Sequence, residues 1–111
     1  MSRHLRADIQ ACIEECHRCA TICIADALFH CLAKGGAHIE RGHFTLMLDC
    51  ANMCRTAAEF MARGSERHRD TCRLCAEICR ACAESCESLD GMEECAEACR
   101  RCAESCERMA A

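Results

Sequence analysis

Cysteine occupies the positions along this chain where a helical protein normally carries its buried apolar residues. It recurs at alternating steps of three and four, with Arg and Glu recurring in between. That spacing puts side chains on one stripe of an α-helix, the stripe that leucine usually supplies to a bundle core. The pattern therefore predicts amphipathic helices with a buried face of sulfur, in the runs Cys12, Cys16, Cys19, Cys23; Cys72, Cys75, Cys79, Cys82, Cys86; and Cys95, Cys99, Cys102, Cys106.

Glycine divides the chain into helical stretches, and the absence of proline means that nothing interrupts them. The first stretch runs from about Ser2 to the pair Gly35-Gly36. The second lies between Gly42 and Gly64. Two further helices fill the remainder of the chain.

Capping signals predict where these last two helices begin. Ser65 can cap the third helix, which ends near Leu89. Asp90 precedes Glu93 by three residues, a capping-box arrangement that opens the fourth helix. Four helices with short connections predict an all-α protein, an up-down-up-down four-helix bundle with a cysteine-lined core, built from residues 1–111 as a single domain.

Composition explains what the core must contain. The chain has seven Leu, six Ile and three Phe, and no Val, Trp or Tyr, with a net charge of −4. Cysteine and alanine must therefore fill the interior, and thiols bury less apolar area than leucine. We expect a metal-free bundle of modest stability, to which metal binding would add folding free energy.

The first residues of the chain contain no apolar leader segment, and no stretch is long and apolar enough to span a membrane. We expect a cytosolic protein, in which the thiols stay reduced. Neighbouring cysteines on one helix also diverge too far for disulfides, because their Cβ atoms are about 5 to 6 Å apart. The basic residues are balanced by acidic ones and there is no aromatic platform for bases, which argues against a nucleic-acid partner.

The spacing of the cysteines also bears on which metal they would bind. Seven Cys-x-x-x-Cys pairs, such as Cys75 and Cys79, could each clamp one ion between two sulfurs of the same helix. Such a site suits monovalent copper, which thiolates select, and about one ion per thiolate, roughly 15 to 20 in all, would neutralise the core. Zinc requires a tetrahedron that one helical stripe does not present by itself, although Cys-x-x-Cys steps keep it open. Iron–sulfur ligation is disfavoured by the spacing.

The candidate metal ligands are all sixteen cysteines with three residues that continue the stripes: Cys12, Cys16, Cys19, Cys23, Cys31, Cys50, Cys54, Cys72, Cys75, Cys79, Cys82, Cys86, Cys95, Cys99, Cys102, Cys106, His43, Met47 and Met92. Met61 and Met109 are interpreted as apolar fillers, and His68 as a surface residue of a first helical turn. The remaining histidines are expected to be solvated: His4, His17, His30 and His38.

The two ends of the predicted bundle differ. One end, termed the mouth, is expected to hold Cys31, His43, Met47, Cys86 and Met92, and to admit metal. The other is expected to be closed by an apolar plug of Leu5, Ile9, Phe60 and Met61. A second apolar set, offset from the sulfur stripe, predicts a homo-oligomer interface: Ile9, Ile13, Ile24, Leu28, Leu46, Met53, Ala57 and Phe60.

The cysteine steps of Cys12-Ile-Glu-Glu-Cys16-His-Arg-Cys19 and Cys72-Arg-Leu-Cys75-Ala-Glu-Ile-Cys79 resemble those of the cytosolic bacterial copper storage proteins, over nearly the whole chain. The resemblance implies many cuprous ions on core thiolates, uptake at one end of the bundle, and a homotetramer. One departure is the second helix, which offers only Cys50 and Cys54 and continues with His43 and Met47.

The sequence thus favours storage and detoxification of Cu(I) in the cytosol, without catalysis. Two alternatives remain. One is a zinc or cadmium buffer of the metallothionein type. The other is a thiol redox sensor, which would need an accessible cysteine of low pKa beside a resolving partner.

Overall fold

A computed structural model describes residues 3–111, and in this part of the chain every regular element is a helix. The elements are α1 (Ala7–Ala25), a π-helical segment (Asp26–Cys31), α2 (Leu32–Lys34), a 3₁₀ turn (Gly36–Ile39), α3 (Arg41–Ala62), α4 (His68–Glu87) and α5 (Glu93–Ala110). The π-helical segment and α2 continue α1, so the long helices number four. They form an elongated body of 45 × 23 × 17 Å, which confirms the all-α four-helix bundle.

The four long helices surround one core. Helix α1 packs beside α3 and α5, and α4 also packs beside α3 and α5, which leaves α1 opposite α4 across the core. Side chains from all four helices therefore meet on the bundle axis. No helix among the described residues is long and apolar enough to cross a membrane.

The capping predictions were wrong in detail. Helix α5 has Met92 as its N-cap with no side-chain cap bond, and the carboxylate of Asp90 instead accepts a hydrogen bond from Lys34 Nζ at 3.1 Å. Helix α4 begins at His68, and the Oγ of Ser65 accepts a hydrogen bond from the backbone N–H of Arg67 at 3.0 Å. The Ser65 side chain thus organises the turn before α4, whereas that of Asp90 forms an ion pair with Lys34 of α2.

The π-helical segment keeps Cys31 on the sulfur stripe. Cys31 follows Cys23 by eight positions. In a regular α-helix that step would rotate its side chain about 80° away from the stripe. A π-turn is wider and absorbs an extra residue. Ala27 and Cys31 are consequently both fully buried on the core side of the helix.

Sulfur and alanine fill the interior, as the composition requires. All sixteen cysteines have an exposed fraction of 0%, and all are free thiols. The largest fully buried side chains are methionines, Met47, Met61 and Met92, and not leucines or aromatics. Within residues 3–111 the buried polar residues are His38, His43 and Ser105, and no Lys or Arg side chain is buried.

The second apolar set is only partly available for an interface. Ile13 and Ala57 are buried in the chain's own core, so assigning them to an interface between chains was wrong. Leu28 of this set is 48% exposed near the mouth, where two residues outside the set are more exposed, Phe29 at 83% and Leu32 at 53%. At the opposite end Leu5 and Ile9 pack against the core, Met61 is buried, and the guanidinium of Arg63 covers the Phe60 ring.

Candidate metal centre

The thiols of different helices are close enough to share an ion. Cys23 Sγ lies 3.5 Å from Cys95 Sγ and 3.6 Å from Cys99 Sγ, which joins α1 to α5. Cys54 Sγ lies 3.6 Å from Cys79 Sγ and 3.7 Å from Cys102 Sγ, which joins α3 to α4 and α5. The sulfurs therefore form one continuous network through the bundle.

Five groups of four thiols stand out in this network, each with its four Sγ atoms within 4.8 Å of one another. We term them rungs and number them from the mouth. Rung 1 is Cys23, Cys82, Cys95 and Cys99; rung 2 is Cys19, Cys23, Cys50 and Cys99; rung 3 is Cys19, Cys50, Cys54 and Cys79; rung 4 is Cys54, Cys75, Cys79 and Cys102; rung 5 is Cys16, Cys75, Cys102 and Cys106.

Every rung is built in the same way. It contains one Cys-x-x-x-Cys pair from a single helix and one thiol from each of two other helices. In rung 4, for example, Cys75 and Cys79 of α4 lie 3.8 Å apart and meet Cys54 and Cys102. The pairs recognised in the sequence are thus half of each group. The interpretation that the stripes present only two-sulfur clamps, and no tetrahedron, was incomplete.

Neighbouring rungs overlap by two thiols. Rungs 1 and 2 share Cys23 and Cys99, and the same holds for each later step, down to Cys75 and Cys102 between rungs 4 and 5. An ion that moves from one rung to the next therefore keeps two sulfur contacts while it exchanges the other two. The rungs form a ladder along the bundle axis.

Four cysteines lie outside the rungs and extend the ladder at its ends. Cys12 Sγ lies 3.9 Å from Cys106 Sγ of rung 5, and Cys12 also interacts with Cys72. Cys86 interacts with Cys82 and Cys95 of rung 1, on the mouth side. Cys31 is the outermost thiol at the mouth, as the next contacts show.

The mouth brings together the three non-cysteine residues selected from the sequence. Cys31 Sγ lies 3.7 Å from His43 Nε2, 3.7 Å from Met47 Sδ and 3.9 Å from Met92 Sδ. The other ring nitrogen of His43, Nδ1, pairs with Ser85 Oγ at 2.7 Å, which fixes the ring with Nε2 toward the sulfur. A thiol, two thioethers and an imidazole thus converge at one point; that they bind metal stays a prediction.

Burial shifts the pKa values of the two ionisable groups of the mouth in opposite directions. It lowers the pKa of His43, because the charged imidazolium is disfavoured away from water. It raises the pKa of the Cys31 thiol to about 11, for the same reason. Without metal the mouth therefore holds a neutral imidazole and a protonated thiol, and metal binding must displace the thiol proton.

The thiols of the ladder cannot all ionise together. The hydrogen bond with Cys23 lowers the pKa of Cys95 to about 5, whereas contact with Cys19 raises the pKa of Cys23. Adjacent sulfurs thus divide protons between them, because a thiolate is stabilised by a neighbouring S–H and destabilised by a neighbouring thiolate. Only added positive charge allows the whole set to become thiolate.

Two histidines predicted to be solvated instead form part of the mouth. His38 is only 8% exposed, and its Nε2–H donates to the backbone carbonyl of Asp90 at 2.9 Å. His30, which is half-buried, donates to the same carbonyl at 3.0 Å. Gly91 has a φ of +78°, and a Cβ there would lie 2.7 Å from the His30 ring. Neither histidine lies on a cysteine stripe, so periodicity could not identify them.

Three further histidines and Met109 lie away from the mouth. His4 and His17 are exposed, as expected. His68 is half-buried, and its Nδ1–H donates to the Ser65 carbonyl at 2.9 Å. Met109 is half-buried against the core at the opposite end from the mouth.

Several known proteins are similar to this chain in sequence and in fold. A family model described as copper storage protein matches residues 5–111. The crystal structure of the Nmul_A1745 protein from Nitrosospira multiformis is 51% identical, covers 93% of this chain and 94% of its own, and superposes with a TM-score of 0.91. The Cu(I)-bound copper storage protein BsCsp3 is 37% identical, with coverage of 94% and 99% and a TM-score of 0.85.

A further relative is an uncharacterized cysteine-rich protein, YhjQ, of Bacillus subtilis strain 168. It is 35% identical over 81 residues, which cover 70% of this chain and 68% of the relative. The matched span of the family model takes in α1 to α5 and every rung of the ladder. This chain belongs to the copper storage protein family.

Proposed function

We propose that this protein stores Cu(I) in the cytosol by filling the sulfur ladder with cuprous ions, and that it has no catalytic role. The observation that carries the proposal is the set of sixteen buried, free thiols, twelve of which form overlapping rungs. Each thiol that releases its proton and binds Cu⁺ gives a neutral copper thiolate. Monovalent ions can therefore occupy a core in which residues 3–111 bury no Lys or Arg side chain.

We propose that copper enters at the mouth. His43, Met47 and Met92 are weaker ligands for Cu(I) than a thiolate, and all three contact Cys31. An ion held there can pass to Cys31 and then to rung 1 as successive thiols lose their protons. In this scheme all sixteen cysteines are storage ligands, and the three non-cysteine residues handle ions in transit.

The redox-sensor alternative lacks support among these residues. A sensor thiol must be reached by its oxidant. All sixteen cysteines have an exposed fraction of 0%, and burial also covers Cys95, whose pKa is lowered by its contact with Cys23. A reducing compartment would keep such thiols available for metal, which is why we assign the protein to the cytosol.

We also propose that residues 1–111 act as one domain and that chains associate as a homotetramer. The exposed apolar side chains near the mouth support association, since Phe29 is 83% exposed and Leu28 and Leu32 are each about half exposed. Water-exposed clusters of this kind commonly mark interfaces.

The test is an anaerobic titration of the reduced protein with Cu(I) against a competing chelator, followed by metal analysis. We expect more than about ten ions per chain, because monovalent copper can use thiolates two or three at a time. Protein alkylated at its thiols in denaturant is the control and should bind almost none. Saturation at four ions or fewer would overturn the storage proposal.

A further inference from the structure

We propose that the ladder has a second occupancy, in which it binds divalent zinc-type ions at three alternate rungs and no more. This goes beyond copper storage, because it assigns a different class of ion to defined subsets of the same thiols. It stands on the geometry of the rungs. Zinc in closed protein sites is tetrahedral with four ligands, and the rungs supply four sulfurs each.

The spacing within a rung already matches such a site. A Zn–S distance of about 2.3 Å requires sulfurs about 3.8 Å apart at the corners of a tetrahedron. In rung 3, three of the sulfur pairs lie between 3.6 and 3.9 Å. In rung 1 two pairs lie at 3.5 and 3.6 Å, and in rung 5 two pairs lie at 3.6 and 3.7 Å. A zinc ion could enter these groups with little displacement of sulfur.

Overlap limits how many rungs can be filled at once. Neighbouring rungs share two thiols, and a four-thiolate ion leaves none to share. Rungs 1, 3 and 5 have no cysteine in common, and neither do rungs 2 and 4. The largest set of separate sites is therefore three, on rungs 1, 3 and 5. Four thiols are left over, and they are Cys12, Cys31, Cys72 and Cys86.

The charge of the zinc complex should make zinc binding weaker than copper binding. Each zinc ion displaces four thiol protons and leaves a complex of charge −2, whereas each Cu⁺ that replaces one proton leaves no net charge. The core contains no Lys or Arg to compensate. Buried uncompensated charge is costly, so copper should displace zinc.

The experiment is an anaerobic titration of the reduced protein with Zn²⁺, in which native mass spectrometry counts bound ions per chain. The ultraviolet charge-transfer band of Cd²⁺, titrated in parallel, reports thiolate ligation. We expect both metals to saturate at three ions, and Cu(I) to release all of them. Four or more zinc ions would mean that thiols bridge neighbouring ions, and one or none would mean that the rungs do not act as sites. Either result overturns the proposal.

Cysteine substitutions test which thiols form each zinc site. Cys95 belongs only to rung 1 and Cys106 only to rung 5, so Cys95→Ala and Cys106→Ala should each reduce the capacity to two. The double variant should also bind two ions and not one, because rungs 2 and 4 remain intact and separate. The matched control removes two of the leftover thiols, Cys12→Ala with Cys72→Ala, and should still bind three.

A double variant that binds one ion, or a control that loses one, contradicts the alternate-rung arrangement. Circular dichroism checks that each variant folds, and if the double variant does not, the two single variants decide the question. Copper capacity is measured on the same samples. Three zinc ions with four or fewer copper ions would refute the storage function alone, and more than ten copper ions with no zinc would refute this inference alone.

Discussion

The Sγ of Cys31 lies 3.7 Å from the Nε2 of His43, so the outermost thiol of the first long helix meets an imidazole of α3. The contact depends on the π-helical segment, which turns Cys31 back toward the core. It also depends on Ser85, whose hydroxyl pairs with the opposite ring nitrogen. Three helices therefore determine the chemistry of the mouth.

Removing the side chains of the mouth should change rates but not capacity. In the variant His43→Ala, Met47→Ala, Met92→Ala, we expect slower copper uptake and slower removal by chelators. Total capacity should stay within about three ions of the parent, because thiolates hold most of the load. Stopped-flow measurements with chelator in excess test this. Unchanged rates would place uptake at the opposite end, near His68 and Met109.

Uptake should tolerate mild acid. Only a neutral imidazole binds metal, and an ordinary histidine becomes protonated below about pH 6.5. Burial lowers the pKa of His43, so its ring stays neutral as the pH falls through 6.5 and becomes charged only at lower pH. The His43-dependent part of the uptake rate should therefore be constant from pH 7.5 to about 6.5 and fall below that range. Rate against pH, compared with His43→Ala, gives the measurement. A decline already centred above pH 6.5 contradicts the expected direction.

Copper loading should stabilise the fold without rebuilding it. The metal-free core has few large apolar side chains, and metal–sulfur bonds would cross-link all four long helices. We expect a clear rise in the thermal unfolding midpoint and little change in helicity, because the rungs are already assembled. Far-ultraviolet circular dichroism with and without copper measures both. An apo chain that is unfolded until metal is added would be inconsistent with a preformed ladder.

Met61 offers a test of packing separated from metal binding. It is 1% exposed and lies at the end of α3 remote from the mouth. Met61→Ala should lower the free energy of unfolding by about 2 to 5 kcal/mol through the cavity it leaves. Met61→Leu, which keeps most of the volume, should lower it by less than about 1.5 kcal/mol. Chemical denaturation measures both values. Copper capacity should be unchanged, and a lost copper ion in Met61→Ala would mark this thioether as a ligand.

Association of chains should depend on Phe29. Its side chain is 83% exposed, so Phe29→Ser removes no packing within the chain. We expect sedimentation velocity to show a smaller assembly or a weaker one for this variant. Leu74→Ser is the control, since Leu74 is also exposed but lies on α4. Equal effects of the two substitutions would argue against an interface centred on the mouth end.

The helices and their buried stripes could be predicted because both follow from spacing along a single helix. Fifteen of the sixteen cysteines, all except Cys31, face the core for that reason, as does Met47. The composition of the rungs could not be predicted, since it depends on how far each helix is shifted along its neighbours. The step of eight residues from Cys23 to Cys31 does not fit the alternating spacing of three and four. It was the one local signal of the π-turn in the sequence. The burial of His38 arises from a distant backbone carbonyl, that of Asp90, which no pattern near His38 indicates.

Because no thiol is shared by more than two rungs, the harm that oxidation of one cysteine can do is limited. A thiol converted to its sulfonic acid is permanently lost as a ligand. No cysteine belongs to more than two rungs, and the two are always neighbours. Damage at Cys99, for example, disables rungs 1 and 2 and leaves rungs 3, 4 and 5 complete. A protein with one oxidised cysteine would therefore keep at least three intact rungs, and its failure under oxidative stress should be gradual rather than abrupt.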